Sequence, residues 1–405
     1  MSARGGAEGG RGRIEVGVRR AVDLDLDAPL PPSEPELLAR IAAEIRELGP
    51  MTFARFMELA LYDPDAGYYS GRAEADAARG PGRGGDFVTA PEGHPIFGWA
   101  IARDLEDAWG RLGRPNRFVV REHGAGSGAL AFGILDGLRR SGSPLAEVIR
   151  YQAIEVGRSA LDELDARLDA AGLARALEAP DGTPAAGAVI ANELLDALPV
   201  HRVAGSDEGL LERFVTLDPA GELATTLATP STTALRERLD AEAIDLHPGQ
   251  EAEICLALDG WLEAALAPLE RGLVVLIDYG RPASELYAPD RGPTLRAYHR
   301  HRVHADPLVG VGRQDLTTHV DLTAVERVAE RLGLEPLGRT RQAAYLASLG
   351  IGDLLVGLQS EPGVDLERYL TAKSAVIRML DPRATGGFAV LRFGRGLPRE
   401  AGRPR

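Results

Sequence analysis

A glycine-rich turn constrains this chain more than any other stretch of its sequence. Gly124, Gly126 and Gly128 alternate directly after the apolar, β-prone run at residues 118–120, and good helix formers follow at residues 129–138. Glycine adopts backbone angles closed to other residues and has no side chain that would keep a ligand away. A strand, a glycine turn and a helix in this order predict an α/β fold that binds a nucleotide-like ligand at the carboxyl end of the strand.

The spacing of the turn is compatible with two classes of ligand. Gly124-x-Gly126-x-x-Ala129 fits the relaxed dinucleotide fingerprint. The same stretch, read from Glu122 as Glu-x-Gly-x-Gly-x-Gly, fits the turn of methyltransferases that use S-adenosyl-L-methionine (SAM). Glu122 favours SAM, because a carboxylate at this place attracts a cationic amino acid end and a sulfonium and repels a pyrophosphate. An NAD-dependent oxidoreductase is the less favoured alternative, and an ordinary strand-to-helix turn is the alternative without a ligand.

Polar side chains end further predicted strands of the same unit. Glu155 closes one apolar segment, Asn192, Glu193 and Asp196 follow a second, and Asp278 closes a third. In open α/β sheets, ligands bind at the carboxyl edge of the strands. Glu155 is therefore predicted to accept hydrogen bonds from ribose hydroxyls, unless it is only a solvated acid at a strand end. Asn192 could also cap a helix that begins at Leu194, and this role is compatible with a place at the ligand-binding edge.

The charge balance restricts the partners. The net charge of −14, from 60 acidic and 46 basic residues, argues against nucleic acid, because phosphate binding needs a basic face. An acidic protein suits a cationic substrate. A metal site at His299, His301 and His304 is not predicted, because neighbouring arginines would repel a cation. The sequence carries no signal for an oligomeric state.

The compartment is predicted from two simple observations. The one cysteine, Cys255, cannot form an internal disulfide, which fits a reducing cytoplasm. The sequence contains no apolar run of about 18 residues, so membrane insertion is not predicted. We therefore expect a cytoplasmic protein.

Composition divides the chain into four predicted parts. These are a disordered or loosely attached tail at 1–33, a helical region with a cofactor-covering loop at 34–110, a core at 111–395, and a second tail at 396–405. Two insertions are predicted in the core, near residues 200–270 and 281–315. The first would contain a β-hairpin at residues 200–228, followed by a largely helical segment at residues 230–269.

Several short motifs, each weak alone, occur in a specific order along the chain. They are Thr52-Phe53, Tyr62-Asp63-Pro64, Gly67-Tyr68-Tyr69, Gly85-Asp86-Phe87-Val88-Thr89-Ala90-Pro91-Glu92, the glycine turn, Ala191-Asn192-Glu193-Leu194-Leu195-Asp196-Ala197-Leu198-Pro199, Leu295-Arg296-Ala297-Tyr298 and Asp315-Leu316-Thr317. In this combination the chain resembles the MidA family of SAM-dependent methyltransferases over about residues 35–395. That family includes the mitochondrial protein-arginine methyltransferase that assists the assembly of respiratory complex I.

The resemblance implies a fold, a cofactor and an acceptor. The implied fold is a Rossmann-like, seven-stranded class I SAM methyltransferase core with a helical N-terminal region and inserted hairpin and helices. SAM is the implied methyl donor, and the implied acceptor is an arginine side chain of a protein substrate, for which a respiratory-complex subunit is one candidate. The implied cofactor-binding residues are Gly85, Asp86, Thr89, Glu122, Gly124, Gly126, Glu155 and Asn192.

The predicted catalytic residues are Glu193 and Asp196, together with Asn192. A guanidinium is a poor nucleophile because its lone pairs are delocalised. One or two carboxylates would hold it by forked hydrogen bonds and draw positive charge away from the attacking nitrogen. The sequence leaves one alternative of a different class, an assembly chaperone without catalysis that keeps a vestigial SAM site.

Overall fold

A computed structural model describes residues 30–70, 89–299, 302–361 and 363–398 of the chain. The strands in these ranges are β1 (Met51–Thr52), β2 (Phe118–His123), β3 (Ile149–Ile154), β4 (Ala185–Asn192), β5 (His201–Ser206), β6 (Gly209–Leu217), β7 (Leu223–Ala228), β8 (Glu251–Ile254), β9 (Leu269–Asp278), β10 (Gly280–Arg281), β11 (Arg296–His299), β12 (Arg302–His304), β13 (Asp315–Thr317), β14 (Val320–Asp321), β15 (Glu335–Arg341) and β16 (Ala389–Arg395).

The helices cover both faces of the central sheet and form most of the N-terminal region. The α-helices in the described ranges are α1 (Pro35–Leu48), α2 (Phe53–Tyr62), α3 (Ala90–Gly93), α4 (Ile96–Arg111), α5 (Ala129–Ser141), α6 (Leu145–Val148), α7 (Arg158–Ala170), α8 (Ala234–Ala241), α9 (Ala257–Leu266), α10 (Ala283–Leu286), α11 (Leu322–Arg331), α12 (Gln342–Ser348), α13 (Ile351–Gln359) and α14 (Leu366–Leu380). Short 3-10 turns lie at Ala174–Ala176, Leu195–Ala197 and Thr385–Gly387.

The central sheet has the strand order β15-β16-β9-β4-β2-β3. Strands β3, β2, β4 and β9 run parallel, and β16 lies antiparallel between β9 and β15. Strands β4 and β9 are almost uniformly apolar because parallel strands are buried on both faces. This arrangement confirms the predicted Rossmann-like α/β fold.

The predicted number of strands in this sheet was wrong by one. The described residues form six strands, and a single parallel bridge between Tyr151 and Leu177 stands where a further strand would extend the edge at β3. The segment after Leu177 contains Pro180, Gly182 and Pro184. Proline cannot donate to a ladder and glycine weakens one, so the pairing ends after one residue.

Two apolar layers enclose the sheet. On one face, α4 and α5, with α7 and the C-terminal helices α12–α14, cover side chains such as Val120, Ile190 and Val275. On the other face, α9 and α11 cover the alternate side chains of the same strands, such as Val189 and Leu276. Because neighbouring residues of a strand point to opposite faces, both layers need apolar residues at successive positions in the middle of β4 and β9.

The first insertion contains more β-structure than predicted. Strands β5 and β6 form the predicted hairpin, and β7 extends it on β6. Residues 230–269 were predicted to be largely helical, but β8 lies between α8 and α9 and pairs antiparallel with β5. This prediction was wrong because β8 owes its extended form to a partner strand about 50 residues away, which local propensity does not report.

The N-terminal helices pack against a second, smaller sheet. Apolar side chains of α1 and α2 share one core cluster with Ala297 and Leu316, from the strands of the order β12-β11-β13, and with Leu295, directly before β11. The side chain of Thr52 accepts a hydrogen bond from Arg55 N–H and so caps α2 as predicted. This packing brings the end of α2 close to the carboxyl edge of the central sheet.

Several sequence predictions fall outside the described ranges. Residues 1–29, which make up most of the first predicted tail, lie there, and so do residues 399–405 of the second. Gly85 and Asp86 in the predicted cofactor-covering loop also lie outside, because the description is interrupted at residues 71–88. The predicted domain boundaries at residues 33 and 110 remain predictions.

Candidate active site

The glycine turn, residues 124–128, has the geometry that its sequence predicts. Gly124 and Gly128 have φ angles of 69° and 76°, in the left-handed region that side chains rarely adopt. A Cβ atom on Gly124 would lie 2.7 Å from Leu194 Cδ1, and one on Gly128 would lie 2.6 Å from Leu164 Cγ. The turn therefore requires glycine at both positions, and its backbone leads from β2 directly into the N-terminus of α5.

Glu155 lies beside the glycine turn, as predicted from its place after β3. Its Oε2 accepts a hydrogen bond of 2.8 Å from Gly126 N–H. Its Oε1 accepts hydrogen bonds from the N–H groups of Val156 and Gly157, at 2.7 and 3.0 Å. These donors fix the carboxylate at the edge of the turn, where the ribose contact predicted for it would take place.

Glu122 is buried below the turn rather than displayed at it. Only 3% of its surface is exposed, and its Oε2 accepts a hydrogen bond of 2.7 Å from the Tyr151 hydroxyl. Burial, reinforced by the nearby charge of Glu155, raises the pKa of Glu122 to about 8. A cation bound at the turn would favour the ionised form of Glu122, but direct contact between this side chain and a ligand stays a prediction.

His123 leaves the turn clear. Residues 122 and 123 point to opposite faces of the sheet, and the His123 ring packs edge-on against Trp261 of α9 at 5.6 Å. Burial, with the charge of Arg121, lowers the pKa of His123 to about 4. A neutral imidazole held against Trp261 does not block the ligand side of the glycine turn.

Replacing Glu122 with Gln should flatten the dependence of stability on pH. The pKa of Glu122 is raised in the folded state, so its contribution to stability is complete below about pH 4.5 and is lost as pH rises through about 8. For a carboxyl this deeply buried, the loss is on the order of a few kcal/mol. Thermal unfolding of the unliganded protein at pH 6 and pH 9 measures this loss of stability as a fall in Tm. The same fall in Tm in wild type, Glu122→Gln and the exposed control Glu367→Gln would contradict the expectation.

A turn of acidic residues follows β4 at the same edge of the sheet. We call residues 193–196 the acidic turn. Asn192, the last residue of β4, donates from Nδ2 to Glu193 Oε1 at 3.1 Å, and its buried Oδ1 has no hydrogen-bond partner within the described part of the chain. Asn192 does not cap the turn that follows, so this alternative from the sequence was wrong.

Asp278, at the end of β9, holds the acidic turn in place. Its Oδ2 accepts hydrogen bonds from the N–H groups of Leu194, Leu195 and Asp196 at 3.2, 2.8 and 3.2 Å. Its Oδ1 accepts one from Tyr279 N–H at 2.8 Å. One fully buried carboxylate therefore satisfies the donors that a capping Asn192 was expected to satisfy.

The two predicted catalytic carboxylates both lie on the acidic turn, near enough for the charge of Asp196 to act on Glu193. Glu193 is half-buried, has a φ of 54° and accepts a hydrogen bond from Ala90 N–H. Burial, and then the charge of Asp196, raises the pKa of Glu193 to about 8. Asp196 is 7% exposed and accepts a hydrogen bond from the Tyr279 hydroxyl, and burial raises its pKa to about 6. An unusual backbone angle and raised acid pKa values are characteristic of functional sites.

The segment after Thr89 is anchored on the glycine turn by contacts that the sequence did not reveal. The Ser127 hydroxyl donates to Glu92 of α3, and Arg167 of α7 donates to the same hydroxyl at 3.0 Å. Thr89 itself directly precedes α3. This network places the end of the predicted cofactor-covering loop beside the turn. The Pro91-Glu92 motif was the only feature of the sequence that could have indicated this network.

Tyrosine side chains complete the site, and sequence analysis assigned none of them a role. They are Tyr62, Tyr69, Tyr279 and Tyr298. Tyr62, Tyr69 and Tyr298 belong to motifs on which the family resemblance rests. Membership in these motifs was the only sequence signal that could have indicated a role for them. Their partners come from distant parts of the chain, so their roles depended on the tertiary structure.

The residues present fit SAM. The glycine turn leads into the N-terminus of α5, Glu155 supplies acceptors for ribose hydroxyls, and the orphaned Asn192 Oδ1 is an acceptor for an ammonium group. The fold and the site thus define a Rossmann-like methyltransferase. A family model for S-adenosyl-L-methionine-dependent methyltransferases matches residues 100–340, more than half of the chain. The chain belongs to this family.

Individual relatives agree with the family assignment. The protein arginine methyltransferase NDUFAF7 homolog, mitochondrial, of Drosophila melanogaster is 30% identical over 346 residues, which are 76% of this chain and 74% of the relative. The protein arginine methyltransferase NDUFAF7, mitochondrial, of Homo sapiens is 28% identical over 360 residues, with 81% and 77% covered. Both relatives match most of their own length.

A solved structure gives the same assignment for the cofactor. A crystal structure from Burkholderia thailandensis, bound to S-adenosyl-homocysteine, is 35% identical and superposes with a TM-score of 0.80. The match covers 92% of this chain and 96% of that one. The prediction of SAM rather than a dinucleotide is confirmed.

None of the helices in the described ranges is long and apolar enough to cross a membrane.

Proposed function

We propose that this protein transfers the methyl group of SAM to an arginine side chain of a protein substrate. The observation that carries the proposal is the pairing of Glu193 and Asp196 at the carboxyl edge of the sheet, beside the glycine turn. The names of the Drosophila and human relatives support arginine as the acceptor. Two adjacent carboxylates match the charge and the forked donors of a guanidinium.

The reaction needs alignment more than chemical assistance from side chains. SAM supplies a methyl carbon made electrophilic by the sulfonium. Glu193 and Asp196 bind the guanidinium, orient its attacking nitrogen and draw positive charge toward the nitrogens that they contact. As the carbon–nitrogen bond forms, the bond from that carbon to sulfur would break, and the proton released by the nitrogen would pass to one of these two carboxylates, whose pKa values are raised. Asp278 keeps both carboxylates in place through its hydrogen bonds to the turn. Such alignment contributes up to roughly 7–11 kcal/mol to lowering a barrier.

The cofactor contacts are part of the proposal. Glu155 accepts hydrogen bonds from the ribose, the backbone of Gly124 and Gly126 lies against the donor, and Asn192 Oδ1 accepts from its ammonium group. Glu122 acts through its charge from below the turn. Thr89 contacts the donor at the start of α3. The cofactor contacts predicted for Gly85 and Asp86 lie outside the described residues and stay predictions.

The test identifies the methylated amino acid. The purified protein is incubated with SAM labelled in its methyl group and a lysate of its source organism from which its own gene has been deleted. We expect acid hydrolysis of the labelled protein to yield methylated arginine, and we expect far less label with the Asp196→Asn variant. Label on another amino acid would refute the arginine assignment. Unchanged SAM with every acceptor would favour the assembly chaperone.

The acceptor protein and the compartment belong to the same proposal. We retain a respiratory-complex subunit as the candidate acceptor and the cytoplasm as the location. Both curated relatives described above are named as mitochondrial proteins, which supports a respiratory connection but not the compartment. Identification of the labelled band tests the acceptor, and cell fractionation tests the location.

A further inference from the structure

Half-buried tyrosines converge on two buried carboxylates near the acidic turn. The tyrosines are Tyr62, Tyr69, Tyr279 and Tyr298. The carboxylates are those of Asp196, on the acidic turn, and Asp315, the first residue of β13, which are 7% and 2% exposed. Asp315 belongs to the second insertion, and the reaction described above gives it no role.

An aromatic pair connects the Asp315 carboxylate to the backbone at the end of the acidic turn. The rings of Tyr62 and Tyr69 stack with centroids 5.7 Å apart and planes 20° apart. The Tyr62 hydroxyl donates to the carbonyl oxygen of Ala197, the residue after Asp196, at 2.9 Å. The Tyr69 hydroxyl donates to Asp315 Oδ1 at 2.8 Å. Because the rings are stacked, Asp315 and the end of the acidic turn are brought to neighbouring positions.

The second insertion is joined to the acidic turn by its backbone as well. Thr318 N–H donates to the carbonyl oxygen of Asp196 at 2.9 Å. Tyr298 and Asp315 are Cα partners on the antiparallel strands β11 and β13, so their side chains point to the same face of that small sheet. Tyr298 is therefore held beside Asp315, on the insertion that contacts the acidic turn.

The electrostatics agree with this geometry. Burial raises the pKa of Tyr62 and of Tyr298, and in both cases the negative charges of Asp196 and Asp315 raise it further. The same two carboxylates thus act on tyrosines from the N-terminal region and from the insertion. The side chains that meet between these elements are acidic and aromatic, which suits a planar cation that can stack and donate several hydrogen bonds.

We propose that Asp315, positioned by Tyr69, is a further acceptor-binding carboxylate, and that the surrounding tyrosines restrict the acceptor to a planar guanidinium. This inference rests on the proposed function. Asp315 contacts the guanidinium together with Asp196, and Tyr69 is a positioning residue that acts through Asp315. The acceptor site is then built from three parts of the chain: the sheet edge, the end of α2 with the turn after it, and the second insertion.

The experiment measures how methylarginine formation depends on the amount of acceptor. The acceptor is the lysate of the deletion strain, varied in concentration at saturating labelled SAM. For Asp315→Asn we expect the half-saturating lysate concentration to rise about 10-fold or more, as for loss of a charged hydrogen bond. Tyr69→Phe should raise it several-fold, and Asp315→Glu should recover part of the loss. The dissociation constant for SAM, from calorimetry, should stay at the wild-type value.

Two matched controls separate binding from folding. Asp290→Asn removes an exposed acid from the same insertion, and Tyr369→Phe removes a hydroxyl from a half-buried tyrosine on α14. Both should behave as wild type. Wild-type half-saturation in a folded Asp315→Asn variant would overturn the proposal, and if that variant does not fold, wild-type half-saturation in Tyr69→Phe would do so. A wild-type enzyme that forms no methylarginine would instead refute the proposed function, and this inference with it.

Discussion

Glu193→Gln and Asp196→Asn should each lower kcat/KM for methyl transfer by about 10²–10³-fold, the range seen when one group that stabilises charge at the reacting centre is removed. Each amide keeps the size of the side chain but cannot take up the negative charge that a bound guanidinium would favour in these carboxyls despite their raised pKa values. The expected loss is in transfer and not in SAM affinity, because the proposed contacts of SAM are with the glycine turn, Glu155 and Asn192. Initial rates with labelled SAM, and calorimetry with SAM alone, measure the two quantities separately.

Matched controls for these variants come from exposed acids distant from the site. Glu367→Gln on α14 and Asp290→Asn in the second insertion change charge in the same way at exposed positions. They should retain wild-type rates. Full methyl transfer in both Glu193→Gln and Asp196→Asn, with normal SAM binding, would show that these carboxylates are not catalytic.

Asp278→Ala should lower the free energy of unfolding by about 3–5 kcal/mol and abolish methyl transfer. The substitution removes the acceptor of four backbone N–H groups, those of residues 194, 195, 196 and 279. A buried donor left without a partner costs about 1–3 kcal/mol, and relaxation of the turn recovers part of the sum. The relaxed turn would no longer hold Glu193 and Asp196 together. Urea unfolding measures the stability.

The exposed N-cap residue of α14, Asp365, provides a control for the stability loss expected at Asp278. Asp365 accepts one hydrogen bond of 2.8 Å from Arg368 N–H at the exposed start of α14. Asp365→Ala should cost only about 1 kcal/mol, as N-cap substitutions do, and should leave methyl transfer intact. Equal losses of stability in the two variants would mean that Asp278 does not organise the acidic turn.

Local chemistry made the centre of the fold predictable. The strand, glycine turn and helix at residues 118–138 were predicted from neighbouring residues, because the backbone angles at Gly124 and Gly128 are a local requirement. The acids at the ends of β3, β4 and β9 could be placed for a similar reason. Parallel strands bring their carboxyl ends to one edge, so an acid after each apolar run marks that edge.

Contacts between distant segments were not predictable in the same way. Local propensity predicts helix where β8 lies, because the extended form of β8 depends on its partner β5. The predicted strand at the edge beside β3 is reduced to a single bridge, because prolines and a glycine follow Leu177. Asn192 was considered as a cap, but Asp278, more than 80 residues later, fills that role. The burial of Glu122 against Tyr151 could not be seen in a sequence that places it directly before an exposed turn.

The sequence by itself determined the α/β class of the core, the glycine turn and the family, because each depends on residues that are close together or on motifs in a fixed order. Only the tertiary structure decided what surrounds the acidic turn. The stacked pair of Tyr62 and Tyr69 and the carboxylate of Asp315 meet there from segments about 250 residues apart. Side-chain contacts of this range arise from packing, which no local pattern records.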